Sequence, residues 1–308
     1  MTNLLVMFSG INAIQFSKLF QSNDDCFKYL CDLKWGQGFN CSKCGCKQHT
    51  KGRTWHHKRC KDCRYDESVL ANTVFHDLKM PLLKAFHLMF RISTKKKGMS
   101  TVELGAEVSV QQKTAWLFKR KVQVAMRQDN NQKLNGQVDV DETLMGFHTD
   151  RSNGGRNLNK RSALLIAVER LPEDKVGNIR IEDIENFKAL TLKYAIKDMV
   201  SPEAEIRADD YCSYTTLKNG GMNIKIEPSE KGKAYKQLHR QIMLFKQWIV
   251  GTHHKWSKKH LHAYADEYVF RFNRRNNRKG IFESLVRRMM HQVPHPYSVI
   301  QTLCAYST

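Results

Sequence analysis

Proline is scarce, 6 in 308 residues, and glycine is modest at 17. Collagen-like and low-complexity chains are thereby excluded. Acidic residues are outnumbered, 30 Asp and Glu against 51 Lys and Arg, for a formal net charge of +21. That surplus argues against a small acidic metabolite as sole target and for a polyanion. No apolar run reaches the roughly 18 residues of a membrane span, so no membrane partner is expected. The first residues, MTNLLVMFSGINAIQF, lack a basic n-region and a small-residue cleavage site. They are expected to belong to the folded protein. An even, spread set of cysteines is also missing. Of nine, seven (Cys26, Cys31, Cys41, Cys44, Cys46, Cys60 and Cys63) fall in the first 63 residues, with Cys212 and Cys304 beyond. This disfavours a secreted disulfide framework and favours a metal site in a reducing compartment. A cytoplasmic location is expected.

What is present is ample apolar content, 41% of the chain, enough for a sizeable core. Three zones stand out: 1–75 holds most cysteines, 76–134 reads as helices, and 135–308 alternates strand-like and helix-like patterns. A polar stretch ending in glycine, QDNNQKLNG at 128–136, reads as a linker. Strands are expected at 137–141, 162–168, 178–184, 204–208 and 223–226, and helices at 187–199, 235–250 and 258–274. The fold class is thus mixed α/β. The order of elements matches an RNase-H-like sheet, although pattern alone does not single that out.

Cys41-x-x-Cys44 and Cys60-x-x-Cys63 stand 15 residues apart. Each C-x-x-C turn presents two thiolates, and two turns complete a tetrahedral four-cysteine site. Cys41, Cys44, Cys60 and Cys63 are the expected ligands of one structural zinc ion, with no open position for catalysis. The alternatives are free thiols in a reducing cell or a redox pair, for which one knuckle would suffice. Cys46 is a near-alternative ligand, but symmetry of spacing favours Cys44. Between the knuckles, Lys51 to Lys58 would form a hairpin. His56 and His57 in it read as surface groups near a nucleic acid, not as ligands.

In the second zone, Ser100 precedes Thr101 to Glu107 with Glu103 at capping-box spacing. A break at 108–110 leads to a helical run over 111–127. Two helices so joined resemble a helix-turn-helix. Lys113, Lys119, Arg120 and Lys121 would then meet phosphate.

Asp139 and Asp141 lie two apart on a strand and so share a face. Asp209 follows a second strand. Aspartates from separate strands, plus a ligand from a later helix, are one way to hold two divalent ions about 4 Å apart for phosphoryl transfer. By itself the pair is equally compatible with a solvated strand edge. His239 and Lys246 are seven apart, about 700° of helix, and so lie on one face two turns apart. The imidazole could take a metal or orient water, and the ammonium could hold a phosphate.

These motifs together resemble the bacterial insertion-sequence transposases of the zinc-ribbon, ISXO-two-like group, which carry a DDE-type, RNase-H-like domain. The resemblance runs from about Gln15 to Asn276. It rests on CFKYLCDLKWGQG at 26–38 leading into CSKCG and RCKDC, on Lys97-Gly98-Met99-Ser100, on Lys113-Thr114-Ala115-Trp116, and on Asp141-Glu142-Thr143 with Gly146. It continues with Asp209 and Tyr214, His239, Lys246, GTHH at 251–254, Lys259-His260-Leu261, and EYVFRFNRR at 267–275.

The resemblance implies a zinc-ribbon domain at 1–75, a helix-turn-helix-like DNA-binding region at 76–134, and a catalytic domain at 135–308 with basic C-terminal helices. It implies Mg2+- or Mn2+-dependent cleavage and strand transfer on double-stranded DNA, at element ends and target, by a homo-oligomer. The first catalytic aspartate then falls on Asp141, not Asp139, and the second on Asp209. The third position, Glu in many relatives, is His239, with Lys246 on a terminal phosphate. Imidazole is a poorer Mg2+ ligand than carboxylate. Glu267 is a rival acid that in the family belongs to the last helix and pairs with an arginine. Asp210 stands where relatives commonly have glycine. Arg271, Arg274, Arg275 and Arg278 would grip DNA. The other readings are a DNA-binding regulator whose α/β domain is inactive, and a nuclease or resolvase that cuts without rejoining.

Overall fold

The computed structural model describes residues 12–128, 132–146, 158, 161–230, 233–253, 256–277 and 280–303, with side chains to 300. Most of the basic, glycine-rich stretch DRSNGGRNLNKR at 150–161, His254 and Arg278 lie outside the described residues. The chain divides into two compact units, one of residues up to Met126 with Asn276–Gln301, the other chiefly Arg127–Arg275. The segment after Arg275, expected to stay with the third zone, therefore folds with the first unit. Among the described residues no helix is long and apolar enough to cross a membrane.

The first unit begins with α1 (Ala13–Leu19) and α2 (Asn23–Trp35), each started by a reciprocal capping box, Asn12 with Gln15 and Ser22 with Asp25. The sequence pattern had not marked these helices. Three short strands follow, β1 (His49–Lys51), β2 (His57–Cys60) and β3 (Asp66–Ser68), in one antiparallel sheet. The expected hairpin is there, with His49 opposite Cys60 and Lys51 opposite Lys58.

Helices α3 (Leu82–Thr94), α4 (Thr101–Glu107) and α5 (Gln112–Met126) come next. Pro81 sits just before α3, where its fixed φ and missing N–H cost nothing. The unit closes with α10 (Ile281–His291) and α11 (Tyr297–Leu303). Aromatic rings tie its distant segments together. Phe16 of α1 stacks on Phe90 of α3 at 4.3 Å, and Phe282 of α10 meets Phe16 at 5.4 Å and Phe86 at 5.8 Å.

The helix-turn-helix spacing is realised. Ser100 Oγ accepts the Glu103 N–H at 3.2 Å. The carboxylate of Glu103 pairs with Lys95 at 3.2 Å and so does not close the capping box. Ser109 adopts φ +52°, which turns the chain, and the backbone crosses close above α4. A Cβ on Gly105 would stand 2.9 Å from the Val110 carbonyl oxygen, so only glycine fits there.

The second unit is a five-stranded sheet in the order β6-β5-β4-β7-β8. Strands β4 (Gln137–Met145), β5 (Ser162–Leu171) and β6 (Lys175–Ile184) pair antiparallel. Strands β7 (Glu205–Ala208) and β8 (Ile224–Ile226) add on in parallel. Parallel neighbours need crossovers, supplied by α6 (Ala189–Met199) and α7 (Cys212–Asn219). Helices α8 (Lys236–Thr252) and α9 (Leu261–Asn273) complete the unit.

Alternation along β4 and β5 splits the core in two. Val138, Val140, Leu165 and Ala167 pack with α6 and α7. Leu164, Ile166 and Val168 pack with α8 and α9. The result is a helix–sheet–helix sandwich of the RNase-H-like kind, as expected. All the expected strands and helices of this zone are present, and α7 is an addition.

Asp266 of α9 sits near Glu182 and Arg127 and accepts hydrogen bonds from Gln128, and desolvation pushes its carboxyl up to about 7. An acid whose folded pKa is raised binds more protons folded than unfolded. Stability should therefore fall as pH rises from about 4 to about 7 and level off above. Urea denaturation of wild type and Asp266→Asn across that range checks this. The mutant should lose part of the slope, and an unchanged slope would remove Asp266 as its source.

Candidate metal centres and catalytic cleft

The four expected zinc ligands converge. The sulfur atoms of Cys41, Cys44, Cys60 and Cys63 all lie within 4.8 Å of one another. Cys41 Sγ is 3.6 Å from Cys63 Sγ, and Cys44 Sγ is 3.5 Å from Cys60 Sγ. Zinc–sulfur bonds of about 2.3 Å set tetrahedral S···S edges of about 3.8 Å, so the donor set fits zinc.

Burial acts to raise the Cys60 thiol, but backbone N–H groups of Cys63 and Asp62 and the neighbouring thiols outweigh it and pull it down, while the same shared hydrogen bonds push Cys44 up. The thiols thus share protons among themselves, as four sulfurs this close do without a metal. Cys46 is not one of the four. Its Sγ accepts the Gln48 N–H at 3.3 Å. Around the ribbon, Glu67, 1% exposed, accepts from Ser42 of the first knuckle at 3.1 and 3.0 Å and pairs with Lys34 of α2 at 2.9 Å. His57 is not the surface group expected. It is 6% exposed, with its ring nitrogens taken by Thr54 and Arg53.

In the second unit, β4 and β7 pair in parallel with Val138 opposite Ile206 and Asp139 opposite Arg207. Carrying that register two residues further sets Asp209 opposite Asp141, at the carboxyl end of β7. His239 of α8 points at the same place, with Nε2 3.3 Å from Asp141 Oδ2. Lys246, on the same face of α8, is pulled down by burial and partly back up by the charge of Asp141. The structure thus brings Asp141, Asp209, His239 and Lys246 to one cleft.

Asp139 shares the face of Asp141 but not its surroundings. It is 3% exposed, and Arg207 clamps it through Nε at 2.9 Å and Nη2 at 2.8 Å. Arg207 also reaches Glu227 at 3.1 Å and the Ala234 carbonyl at 3.0 Å, and lies over the Tyr235 ring. Glu267, the rival acid, is fully buried on α9 and pairs with Arg271 at 3.5 Å. It is therefore a structural group. Asp210 is exposed.

Neither spacing nor periodicity assigns a role to Glu142 or to Tyr214, which is fully buried. Burial, then the charges of Glu142, Asp141 and Asp209, push the Tyr214 phenol well above its usual range. It stays protonated and can donate to the acids around it. Its place five residues after Asp209 was the available signal.

Several expected DNA contacts are corrected. Lys119 is 1% exposed and its Nζ donates to the Met99 carbonyl at 2.8 Å. Arg120 is 4% exposed and donates to Gln123 at 2.8 Å. Both brace the helix-turn-helix from within. Arg271 is buried against Glu267 and Trp248. Arg274 lies over Phe270 and caps its carbonyl, and Arg275 lies over Phe272 and donates to the Phe272 and Val176 carbonyls. Arg274 and Arg275 thus close the end of α9, and Arg275 fastens it to β6 through the Val176 carbonyl. Lys113, at the start of α5, is exposed as expected.

Comparison with known proteins agrees with this architecture. Residues 133–273 match the model of the ISXO2-like transposase domain, and residues 21–66 match the transposase zinc-ribbon domain. A search of curated proteins found no match. Among solved structures, the crystal structure of the Mos1 strand transfer complex is similar at 10% identity, over 66% of this chain and 78% of that one, with a TM-score of 0.20. That likeness is too slight to carry weight. The ribbon and the sandwich, matched in this order over more than half of the sequence, place the chain in the zinc-ribbon, ISXO2-like family of insertion-sequence transposases.

Proposed function

We propose that the protein is an active DDE-type transposase that cleaves double-stranded DNA at the ends of its own element and joins them to target DNA. The observation that carries this reading is the cleft itself. Asp141 and Asp209 come from adjacent parallel strands, and His239 lies 3.3 Å from Asp141. Two carboxylates and an imidazole suit Mg2+ or Mn2+. A divalent cation bound there would supply Lewis-acid polarisation of the phosphoryl group and activation of the attacking hydroxyl.

The chain's own contribution is positional. Asp141, midway along β4, and Asp209, just beyond the end of β7, would hold the cation. His239, when neutral, offers Nε2 as third donor. Lys246 holds the scissile or terminal phosphate as a point charge. A hydroxyl, from water in cleavage or the freed 3′ end in strand transfer, forms one P–O bond as another breaks. Joining two element ends requires two such clefts, so the protein acts as a homo-oligomer on DNA, in the cytoplasm on the nucleoid. The zinc ribbon and the helix-turn-helix, with Lys113 exposed, recognise the ends. Affinity should fall steeply with salt, as phosphate contacts release counterions.

The test is a cleavage and joining assay on DNA carrying the element's flanking repeats, in Mg2+, Mn2+ and EDTA. Joined products are expected in either metal and not in EDTA, and Asp141→Ala should abolish them. His239→Glu should raise the rate more in Mg2+ than in Mn2+, since Mg2+ prefers oxygen donors. Wild type that binds this DNA yet yields no product in either metal would overturn the reading in favour of a regulator.

A further inference from the structure

Lys51, Gly52, Arg53, Thr54, Trp55 and His56 form the tip of the zinc-ribbon hairpin between β1 and β2. Trp55 is 46% exposed, unusual for so large an apolar ring. It is not loose. Its ring meets Phe27 of α2 edge-on at 6.2 Å and His56 at 5.4 Å. His56 in turn stacks flat on Phe27 at 4.1 Å, with the planes 11° apart. Three rings therefore form a platform with the indole outermost.

The turn beneath is fixed from several sides. Gly52 N–H donates to the His57 carbonyl at 3.2 Å, His57 N–H to the Thr54 carbonyl at 3.1 Å, and Arg53 N–H to Asp66 Oδ2 at 3.3 Å. A Cβ on Gly52 would stand 2.3 Å from Asp66 Oδ1 and 2.8 Å from His57 backbone, so glycine alone permits this turn. At the other end of the hairpin, β2 ends on the zinc ligand Cys60.

Lys51 and Arg53 flank the tip, Arg53 with a side chain 73% exposed and 4.0 Å from Asp66, and Arg59 follows on β2, also 4.0 Å from Asp66. Asp24 is the other acid near the tip. At the knuckle end, Lys43, Lys47, Lys61 and Arg64 are exposed with Asp62, so the ribbon as a whole carries more exposed cations than acids. A rigid exposed indole in a cationic surround fits duplex DNA, where cations take phosphates and an apolar ring enters a groove.

We propose that Trp55 is a wedge that inserts at a base step of duplex DNA, with Lys51 and Arg53 on the flanking phosphates. This rests on the DNA-binding reading and assigns it a contact residue. Insertion stabilises the complex without counterion release, whereas Arg53 contributes through phosphate. The two therefore differ in salt dependence.

The test measures binding of the full-length, zinc-loaded protein to a fluorescein-labelled, mixed-sequence DNA duplex by anisotropy over a salt series. Trp55→Ala should weaken binding on the order of tenfold or more, as loss of one aromatic–base contact does, with the salt slope unchanged. Trp55→Phe should retain most of the affinity. Arg53→Ala should weaken binding and reduce the slope by about 1. Zinc content and thermal melting, unaltered in all three, show that the ribbon is intact. Wild-type affinity in Trp55→Ala, alongside salt-dependent binding by wild type, overturns the wedge and leaves the DNA-binding reading standing. A changed oligomeric state with unchanged DNA affinity also overturns it, assigning the indole to a protein interface. Wild type that binds no duplex at all removes both.

Discussion

Stripping zinc with a strong chelator is expected to unfold the ribbon while the sandwich of the second unit keeps its structure. Strands β1, β2 and β3 have three, four and three residues, too few to stand as a sheet without help. The residues of β1 are all exposed, so that strand adds little to a core. Structural zinc sites contribute on the order of 10–16 kcal/mol of folding free energy in small domains. Nothing else in the ribbon compares with that. The Glu67 bridge between the first knuckle and α2 aligns the parts but holds only one carboxylate and one ammonium in place.

Cys60→Ser should behave like the chelated protein, since Cys60 is fully buried at the centre of the ligand set. Cys46→Ser should keep a full zinc complement. Hydrogen exchange reports both units at once. On chelation, protection should vanish over 41–68 and persist in β4 and β5. Retained protection over 41–68 would mean that the ribbon stands on its core and that the cysteines are only incidentally close.

The zinc site was legible because its geometry is local. Two C-x-x-C turns need nothing but their own spacing to offer four thiolates. Much of the sandwich was legible for the same reason, since strand alternation and helical periodicity are short-range signals. Groups whose role depends on a distant partner were not. Lys119 and Arg120 look like a solvent-facing basic run, but their side chains reach inward to Met99 and Gln123. The arginines after Phe270 carry as much charge as a DNA-gripping cluster, yet their guanidiniums lie on rings and cap carbonyls. Long aliphatic stems let such residues bury while their polar ends find partners. The return of α10 to the first unit has no sequence signal either. Its amphipathic stripe says only that some core receives it.

The sharpest case is Asp139 against Asp141, which spacing alone cannot separate because residues two apart share a strand face. Their neighbours on β7 separate them. Opposite Asp139 stands Arg207, and in the same register opposite Asp141 comes Asp209. On β7 one aspartate thus faces a cation and the other an acid, while the groups that meet Asp141 from α8 are His239 and Lys246. Asp139→Ala would leave Arg207, its side chain only 13% exposed, without its bidentate partner. Breaking a buried pair in this way costs about 3–5 kcal/mol. Asp141→Asn removes one of two facing carboxylates, Asp209 being the other, but also the charge that His239 and Lys246 meet, so stability should stay near that of wild type. Its activity should fall at least about a thousandfold, because a cation that supplies several kcal/mol of transition-state stabilisation loses an anionic ligand.

Urea denaturation and the joining assay, run on both variants, test this opposition. Asp139→Ala should shift the unfolding midpoint strongly, and its residual activity should follow its folded fraction. Asp141→Asn should unfold like wild type and be inert. A stable but inactive Asp139→Ala would move the metal site two residues back along β4. Arg207→Ala combined with Asp139→Ala should cost much less than the sum of the single changes, because the second deletion removes a charge that the first has already stranded. On the proposed reading, an electrostatic difference one strand away thus separates two like residues on one face, Asp139 serving the fold and Asp141 the chemistry.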